Sequence, residues 1–298
     1  MLPGIGAVLL WSLSVAFTRG ISETIGRYNA AAIIYLCSGI LLTAIKYRRV
    51  SIYKVIFSGP VNWRLLVCAV FFSGSYLSYY TAVGSASTRA QVLEAGLINY
   101  LWPTLTALAA IPIMRIKPRI VLFAGITTAL AGVVLVLRPQ DSSMLHTSSG
   151  TEFSVLFTRL CALSAAVCWA LYSALTGRWR TRNVNNVPFF MLITGIAAVF
   201  FAVLKPHTPV FTPVSVTELI ILLCSSSAAT MLWGTAMQGN GMYRAVLLSN
   251  FIPLISTVFS AYYLRTPLQK SILFGCILIC AGTFLSNKQK KQSSTAYK

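Results

Sequence analysis

Acidic residues are almost missing from this chain: it has five Asp and Glu in 298 residues, against 24 Lys and Arg. Charged residues of both signs make up only 10%. A soluble domain carries roughly 25%, so a soluble globular protein is excluded. Histidine is scarce too, with only His146 and His207, both in expected loops. No Gly-x-x-x-x-Gly-Lys-Ser/Thr loop is present, so ATP is not the evident energy source. Neither a His-Glu-x-x-His nor a Gly-x-Ser-x-Gly motif occurs, so a membrane-embedded hydrolase lacks its parts. The expectation is a non-enzyme with no catalytic residues, no cofactor and no metal. The seven cysteines (Cys37, Cys68, Cys161, Cys168, Cys224, Cys276 and Cys280) all lie inside apolar runs. None forms a Cys-x-x-Cys pair or has a nearby His, so they read as small apolar residues rather than as zinc ligands or a disulfide framework.

Long apolar runs fill the rest of the chain. The hydrophobic fraction is 56% and the mean hydropathy +0.75. A membrane-spanning helix needs about 20 mostly apolar residues, so ten spans and short loops fit the length. Windows of about 19 residues place spans near 2–18, 28–45, 65–83, 92–114 and 120–137. A second set falls near 155–176, 188–204, 216–237, 245–264 and 271–286. The polar connection over 138–154 separates a first five-helix repeat, 1–137, from a second, 155–287, and a basic tail follows over 288–298. The first span lacks a basic leader and a clear cleavage site, so it reads as a retained helix.

The net charge of +19 would suggest nucleic acid in a soluble protein. Here the bases sit in short clusters between spans, as topology signals do. With the N-terminus inside, the inner loops and tail hold 16 basic residues and no acid. The outer side holds all five acids, Glu23, Glu94, Asp141, Glu152 and Glu218, with the remaining eight bases. The expectation is a multi-pass protein with both termini cytoplasmic, whose partners are the lipid bilayer and a small molecule, not nucleic acid. One copy is the working unit, with the oligomeric state left open.

The chain also resembles itself. At a shift of 150 residues, Ala95, Leu97, Pro103, Arg115, Gly125, Ala131 and Gly132 fall on Ala245, Leu247, Pro253, Arg265, Gly275, Ala281 and Gly282. At a shift of 158, Ala7, Trp11, Leu13, Ala16 and Thr18 fall on Ala165, Trp169, Leu171, Ala174 and Thr176. Each repeat holds an odd number of spans, so the two copies would cross the membrane in opposite senses. The expected fold is therefore an all-α membrane protein of ten helices in two inverted five-helix repeats, the architecture of secondary transporters.

Spans 4 and 9 carry the most chemistry. The first reads Glu94-Ala-Gly-Leu-Ile-Asn99-Tyr100-Leu101-Trp102-Pro103, the second Arg244-Ala-Val-Leu-Leu-Ser249-Asn250-Phe-Ile-Pro253. A proline within a helix removes one backbone hydrogen bond and kinks it. Pro103 and Pro253 should free the carbonyls of Asn99 and Ser249, and the pair reads either as structural kinks or as hinges. A freed carbonyl in lipid needs protein, a polar side chain or water, which points Asn99 and Asn250 toward a cavity. Tyr76 and Tyr80 share a helix face four residues apart, and Asn99 and Trp102 share one three apart. Trp11, Trp102 and Trp169 sit near mid-span, unlike belt residues. An aromatic cavity with a few amides suits an amphipathic solute. Glu94 is the one acid near a span interior, a candidate for coupling or for an interfacial helix start. Arg159 reads as snorkelling to headgroups, and Trp63 and Trp179 as belt residues in loops. Gly125 and Gly132, like Gly275 and Gly282, lie seven apart and form packing seams.

The ten spans, the five-plus-five duplication and the start Trp11-Ser12-Leu13-Ser14-Val15-Ala16-Phe17-Thr18-Arg19 resemble the drug/metabolite transporter superfamily. Glu94-x-Gly96-x-x-Asn99-Tyr100-Leu101-Trp102-Pro103 resembles its bacterial aromatic amino-acid exporter branch. The resemblance implies an inner-membrane exporter of Phe, Tyr and Trp, working by alternating access. It implies a cavity lined by Tyr76, Tyr80, Asn99, Trp102 and Trp169, with Ser249 and Asn250 from span 9. Tyr79 beside Tyr80 leaves open which tyrosine faces the cavity. Other cargo in the same machine (a drug cation, a nucleotide sugar or a lipid precursor), or a receptor that binds without transporting, are the alternatives.

Overall fold

A computed structural model describes residues 2–47, 63–115, 117–118, 120–137, 152–179, 186–238 and 249–287. Most of the 138–154 connection, Arg244 with the start of span 9, and the tail at 288–298 lie outside the described residues. Among the described residues the chain is all-α. Helices α1 (Leu2–Ser12) and α2 (Ser14–Ile21) run through a π-helical turn, Ser22–Gly26, into α3 (Arg27–Tyr47). Then come α4 (Trp63–Ser85), α5 (Arg89–Asn99), α6 (Trp102–Met114) and α7 (Ile120–Val136). After the connection follow α8 (Glu152–Trp179), α9 (Val187–Leu204), α10 (Pro213–Gln238), α11 (Ile252–Tyr263) and α12 (Lys270–Asn287). Among the described residues, six helical stretches are long and apolar enough to cross a membrane: 4–45, 63–85, 89–114, 152–179, 187–204 and 213–232. Three shorter apolar helices, α7, α11 and α12, add to them.

Several hydroxyls inside the spans are satisfied within their own helix. The hydroxyls of Thr106, Ser173, Thr217 and Thr230 each donate to the carbonyl four residues back, at 2.6–2.8 Å. Such back-bonding hides a hydroxyl from lipid without a neighbour. The start of α5 is fixed by a reciprocal cap: Thr88 Oγ1 accepts from the Gln91 N–H, while Gln91 Oε1 accepts from the Ser87 N–H.

The prolines of spans 4 and 9 each follow a two-residue interruption of the helix. Helix α5 stops at Asn99, Tyr100 and Leu101 form a turn, and α6 starts at Trp102 with Pro103 in its first two positions. Span 9 repeats the pattern, with Asn250 and Phe251 turning before Ile252 and Pro253. The missing proline N–H costs nothing at a helix start, because the first N–H groups have no intrahelical acceptor anyway. Tyr100, Leu101 and Phe251 keep near-helical backbone angles, with φ between −69° and −89°, so each interruption is local, where the proline's backbone hydrogen bond is missing. The helices after the two breaks also end alike: Arg115 and Arg265, 150 residues apart, both have positive φ, at 55° and 51°.

Close packing follows the small residues. A Cβ added at Gly125 would lie 2.7 Å from the Gly282 carbonyl oxygen, and one at Gly132 would lie 2.6 Å from that of Gly275. Helices α7 and α12 thus touch backbone to backbone and run antiparallel. Helix α4 is tied to α8 by the Ser75 hydroxyl, which donates to the Ala165 carbonyl at 2.8 Å. It is tied to α9 by the Ser73–Thr194 hydroxyl pair at 2.9 Å.

Candidate functional site

The broken part of span 4 faces a cavity of about 110 Å³, room for several waters. Five helical segments supply its aromatic and amide walls. Helix α1 brings Trp11, α3 Tyr35, α4 Tyr76, Tyr79 and Tyr80, the span-4 break Asn99, Tyr100 and Trp102, and α8 Trp169. Ser14, Thr18, Ser75 and Ser226 add hydroxyls. Among the described residues no charged side chain lines it.

The aromatic rings form one connected array. Trp102 and Trp169 meet edge to face with centroids 6.0 Å apart, and Tyr76 meets Trp169 at 5.7 Å. Tyr35 closes the other side against Tyr76 at 4.7 Å and Tyr80 at 5.9 Å. Each such pair contributes about 0.5–1.5 kcal/mol beyond its area burial, so the walls are stiff before any solute enters. The Tyr79 hydroxyl is buried in the wall with no hydrogen-bond partner among the described residues.

Of the residues singled out from the sequence, Tyr76, Tyr80, Asn99, Trp102 and Trp169 come together here. Tyr79 lines the cavity as well, so both neighbouring tyrosines face it. Ser249 and Asn250 are buried beside the span-9 break but do not line it; their neighbour Ile252 does. Pro103 and Pro253 are buried just behind the breaks. Tyr172 packs behind Trp169 against Phe72 and Phe190. Tyr35 was missed, because a lone tyrosine in an apolar span gives no pattern to follow. Tyr100 was missed as a wall residue because an unbroken helix would turn it away from Asn99.

The ionisable groups differ more. Arg159 does not snorkel: its guanidinium reaches Glu94 Oε2 with Nη2 at 2.9 Å and Nε at 3.2 Å. A headgroup is not needed where a carboxylate lies on the next helix. Glu94 is absent from the cavity wall. It is also not the sole acid within a span. Glu218 is buried in α10, where its Oε1 accepts from the Tyr263 hydroxyl at 2.6 Å. It is seated against Gly20, where no side chain would fit. Trp63 and Trp179 are helix-end residues rather than loop residues, and they meet edge to face at 5.2 Å.

Next to Thr18, Arg19 gathers a second network. It donates to the Val83 and Ala86 carbonyls at 3.1 and 2.7 Å and pairs with Glu23 at 2.6 Å. Arg89 lies 3.6 Å from the same carboxylate and donates to the Leu264 carbonyl at 3.1 Å. Phe17 packs edge to face on Phe259 and Tyr263. The ends of α2, α4, α5 and α11 are thereby fastened together.

Comparison with known proteins places this arrangement. The model of the EamA-like transporter family matches residues 1–138 and 156–288. The chain belongs to that family. As an EamA-like protein it is a multi-pass membrane transporter of a small molecule. It is 30% identical over 290 residues to a protein of Salmonella typhimurium named aromatic amino acid exporter YddG, covering 95% of each chain. It is also 30% identical over 288 residues to the Escherichia coli protein of the same name, again covering 95% of each. An uncharacterized transporter of Bacillus subtilis, YvbV, is 24% identical over 300 residues, with 97% of this chain and 92% of that one covered. A solved crystal structure shares the fold at a TM-score of 0.70 and 22% identity, covering 96% of both chains.

Proposed function

We propose that this EamA-like protein exports aromatic amino acids (Phe, Tyr and Trp) across a bacterial inner membrane by alternating access. The observation that carries the reading is the uncharged aromatic cavity between α1, α3, α4, α8 and the span-4 break. An aromatic side chain stacks on such walls, and its polar end needs hydrogen-bond partners that the walls also hold. In this reading Trp102, Trp169, Tyr76 and Tyr80 grip the ring. Asn99, assisted by Ser249 and Asn250 when the cavity rearranges, takes the polar end. Two relatives that are named aromatic amino acid exporters support the cargo.

The same reading takes the chain as ten spans in two inverted five-helix repeats with both termini cytoplasmic. Support comes from the matched breaks before Pro103 and Pro253, the matched left-handed residues Arg115 and Arg265, and the antiparallel α7–α12 contact. The two breaks would act as paired hinges, and Glu94 is the candidate coupling residue.

Counterflow tests the cargo. Sealed liposomes holding purified protein are loaded with unlabelled phenylalanine and given labelled phenylalanine outside. Transient accumulation of label, absent from protein-free liposomes, is the expected result. A folded preparation that accumulates none of the three aromatic amino acids overturns the cargo.

A further inference from the structure

A second cavity, of about 290 Å³, lies between the start of α3, the end of α4 and the loop after α9, and shares no lining residue with the aromatic one. Its walls include Arg27, Tyr28, Asn29, Lys205 and His207 and, among the described residues, no acid. Most other cations toward this end are engaged: Arg19 and Arg89 share Glu23, and Arg159 takes Glu94. Arg27 and Lys205 have no carboxylate partner among the described residues. Arg27 donates to the Ser85 hydroxyl and lies 5.2 Å over the Tyr28 ring, which leaves its charge uncompensated.

The cavity is held in shape. Gly84 leaves room for the Arg27 stem, since a Cβ there would come within 2.7 Å of it. Gly26, at φ +90°, leaves room for the His207 ring. The loop is anchored by Asn29, which donates to the His207 carbonyl at 3.0 Å, and by the Val210 N–H, which donates to the Thr24 carbonyl at 2.9 Å. Below Lys205, α9 presents an exposed apolar ridge of Ile196, Phe200, Val203 and Leu204. Their spacing keeps them on one helix face.

We propose that this cavity binds the headgroup of an anionic phospholipid, with the phosphate between Arg27 and Lys205 and an acyl chain lying along the α9 ridge. Two cations without an acid suit a phosphate oxyanion, and the ridge that begins at the cavity edge suits a chain attached to it. The site does not depend on which cargo the transporter carries.

The test uses full-length protein in liposomes doped with a phosphatidylglycerol that carries a photoreactive group on one acyl chain. A phosphatidylcholine analogue serves as the comparison. Labelled peptides are mapped by mass spectrometry. The phosphatidylglycerol analogue should label 187–204 several-fold more than the phosphatidylcholine one. Arg27→Gln with Lys205→Gln should abolish the excess, about fivefold per charge removed, while Arg27→Lys keeps it. Equal labelling by the two lipids, or an excess that survives the double substitution, overturns the proposal. Displacement of the label by glycerol 3-phosphate also overturns it, because the cavity would then take a free oxyanion rather than a lipid.

Discussion

Arg159 on α8 holds Glu94 on α5 through two nitrogens on one carboxylate oxygen, at 2.9 and 3.2 Å. The pair joins the two spans that carry Trp102 and Trp169, beside the cavity rather than in it. Both side chains are partly buried. The pair's worth therefore falls between an exposed pair, at under about 1 kcal/mol, and a buried one, whose disruption costs about 3–5 kcal/mol. A double-mutant cycle with Glu94→Gln and Arg159→Gln, read by thermal unfolding, should give a coupling of about 1–2 kcal/mol. A coupling near zero would show that the contact is not formed in solution.

The same residue tests energy coupling. If Glu94 carries the coupling proton, Glu94→Gln retains counterflow, which needs no net driving force, and loses accumulation driven by an imposed pH gradient. Loss of both activities, with folded protein in the membrane, marks the pair as structural.

Trp102→Ala opens the array at its contact with Trp169. The expected effect is weaker substrate binding by about tenfold, from the loss of stacking worth about 1–1.5 kcal/mol. Protein should still reach the membrane, and Trp102→Phe should retain most of the affinity. Unchanged concentration dependence of counterflow in Trp102→Ala removes Trp102 from the substrate path.

Arg19→Gln releases the α2 end from the Val83 and Ala86 carbonyls. Opening of the cavity toward that end should then become more frequent. A cysteine replacing Ser14, in a background without the native cysteines, should react faster with an impermeant thiol reagent when Arg19→Gln is added. An unchanged rate would mean that the fastening does not limit access.

Gly125→Leu places a large side chain where the α12 backbone already sits. Overpacking of this kind costs about 1–3 kcal/mol or prevents folding. Ser286→Ala, at the same contact, should cost less, because its hydroxyl bonds only to the Gly282 carbonyl four residues back. Equal unfolding temperatures for Gly125→Leu and the native chain would refute the backbone contact.

Much of this was legible in the sequence. Apolar run length located the helices, because a span in lipid must satisfy its own backbone. The spacing of Tyr76 with Tyr80 and of Asn99 with Trp102 found part of the cavity wall, because residues three and four apart share a helix face. The prolines marked the interruptions at Tyr100–Leu101 and Asn250–Phe251, but not how far each would extend. A proline reads equally as a kink within one helix or as the start of another, and only tertiary contacts decide. Arg159 was misread for a related reason: its partner lies 65 residues away on another helix, and sequence pattern carries no information on such pairs. Tyr35 and Glu218 were missed on the same ground, since the neighbours that give them a role, Tyr76 and Tyr263, come from other spans.

The glycine seam between α7 and α12 carries a consequence for how such a chain changes over generations. Each glycine faces a glycine from the other half of the sequence. Neither helix can acquire a side chain there on its own, because the facing backbone leaves no space for one. However much the rest of the chain changes, these four positions are tied in pairs, and a tolerated enlargement at one must arrive with a displacement of the opposite helix.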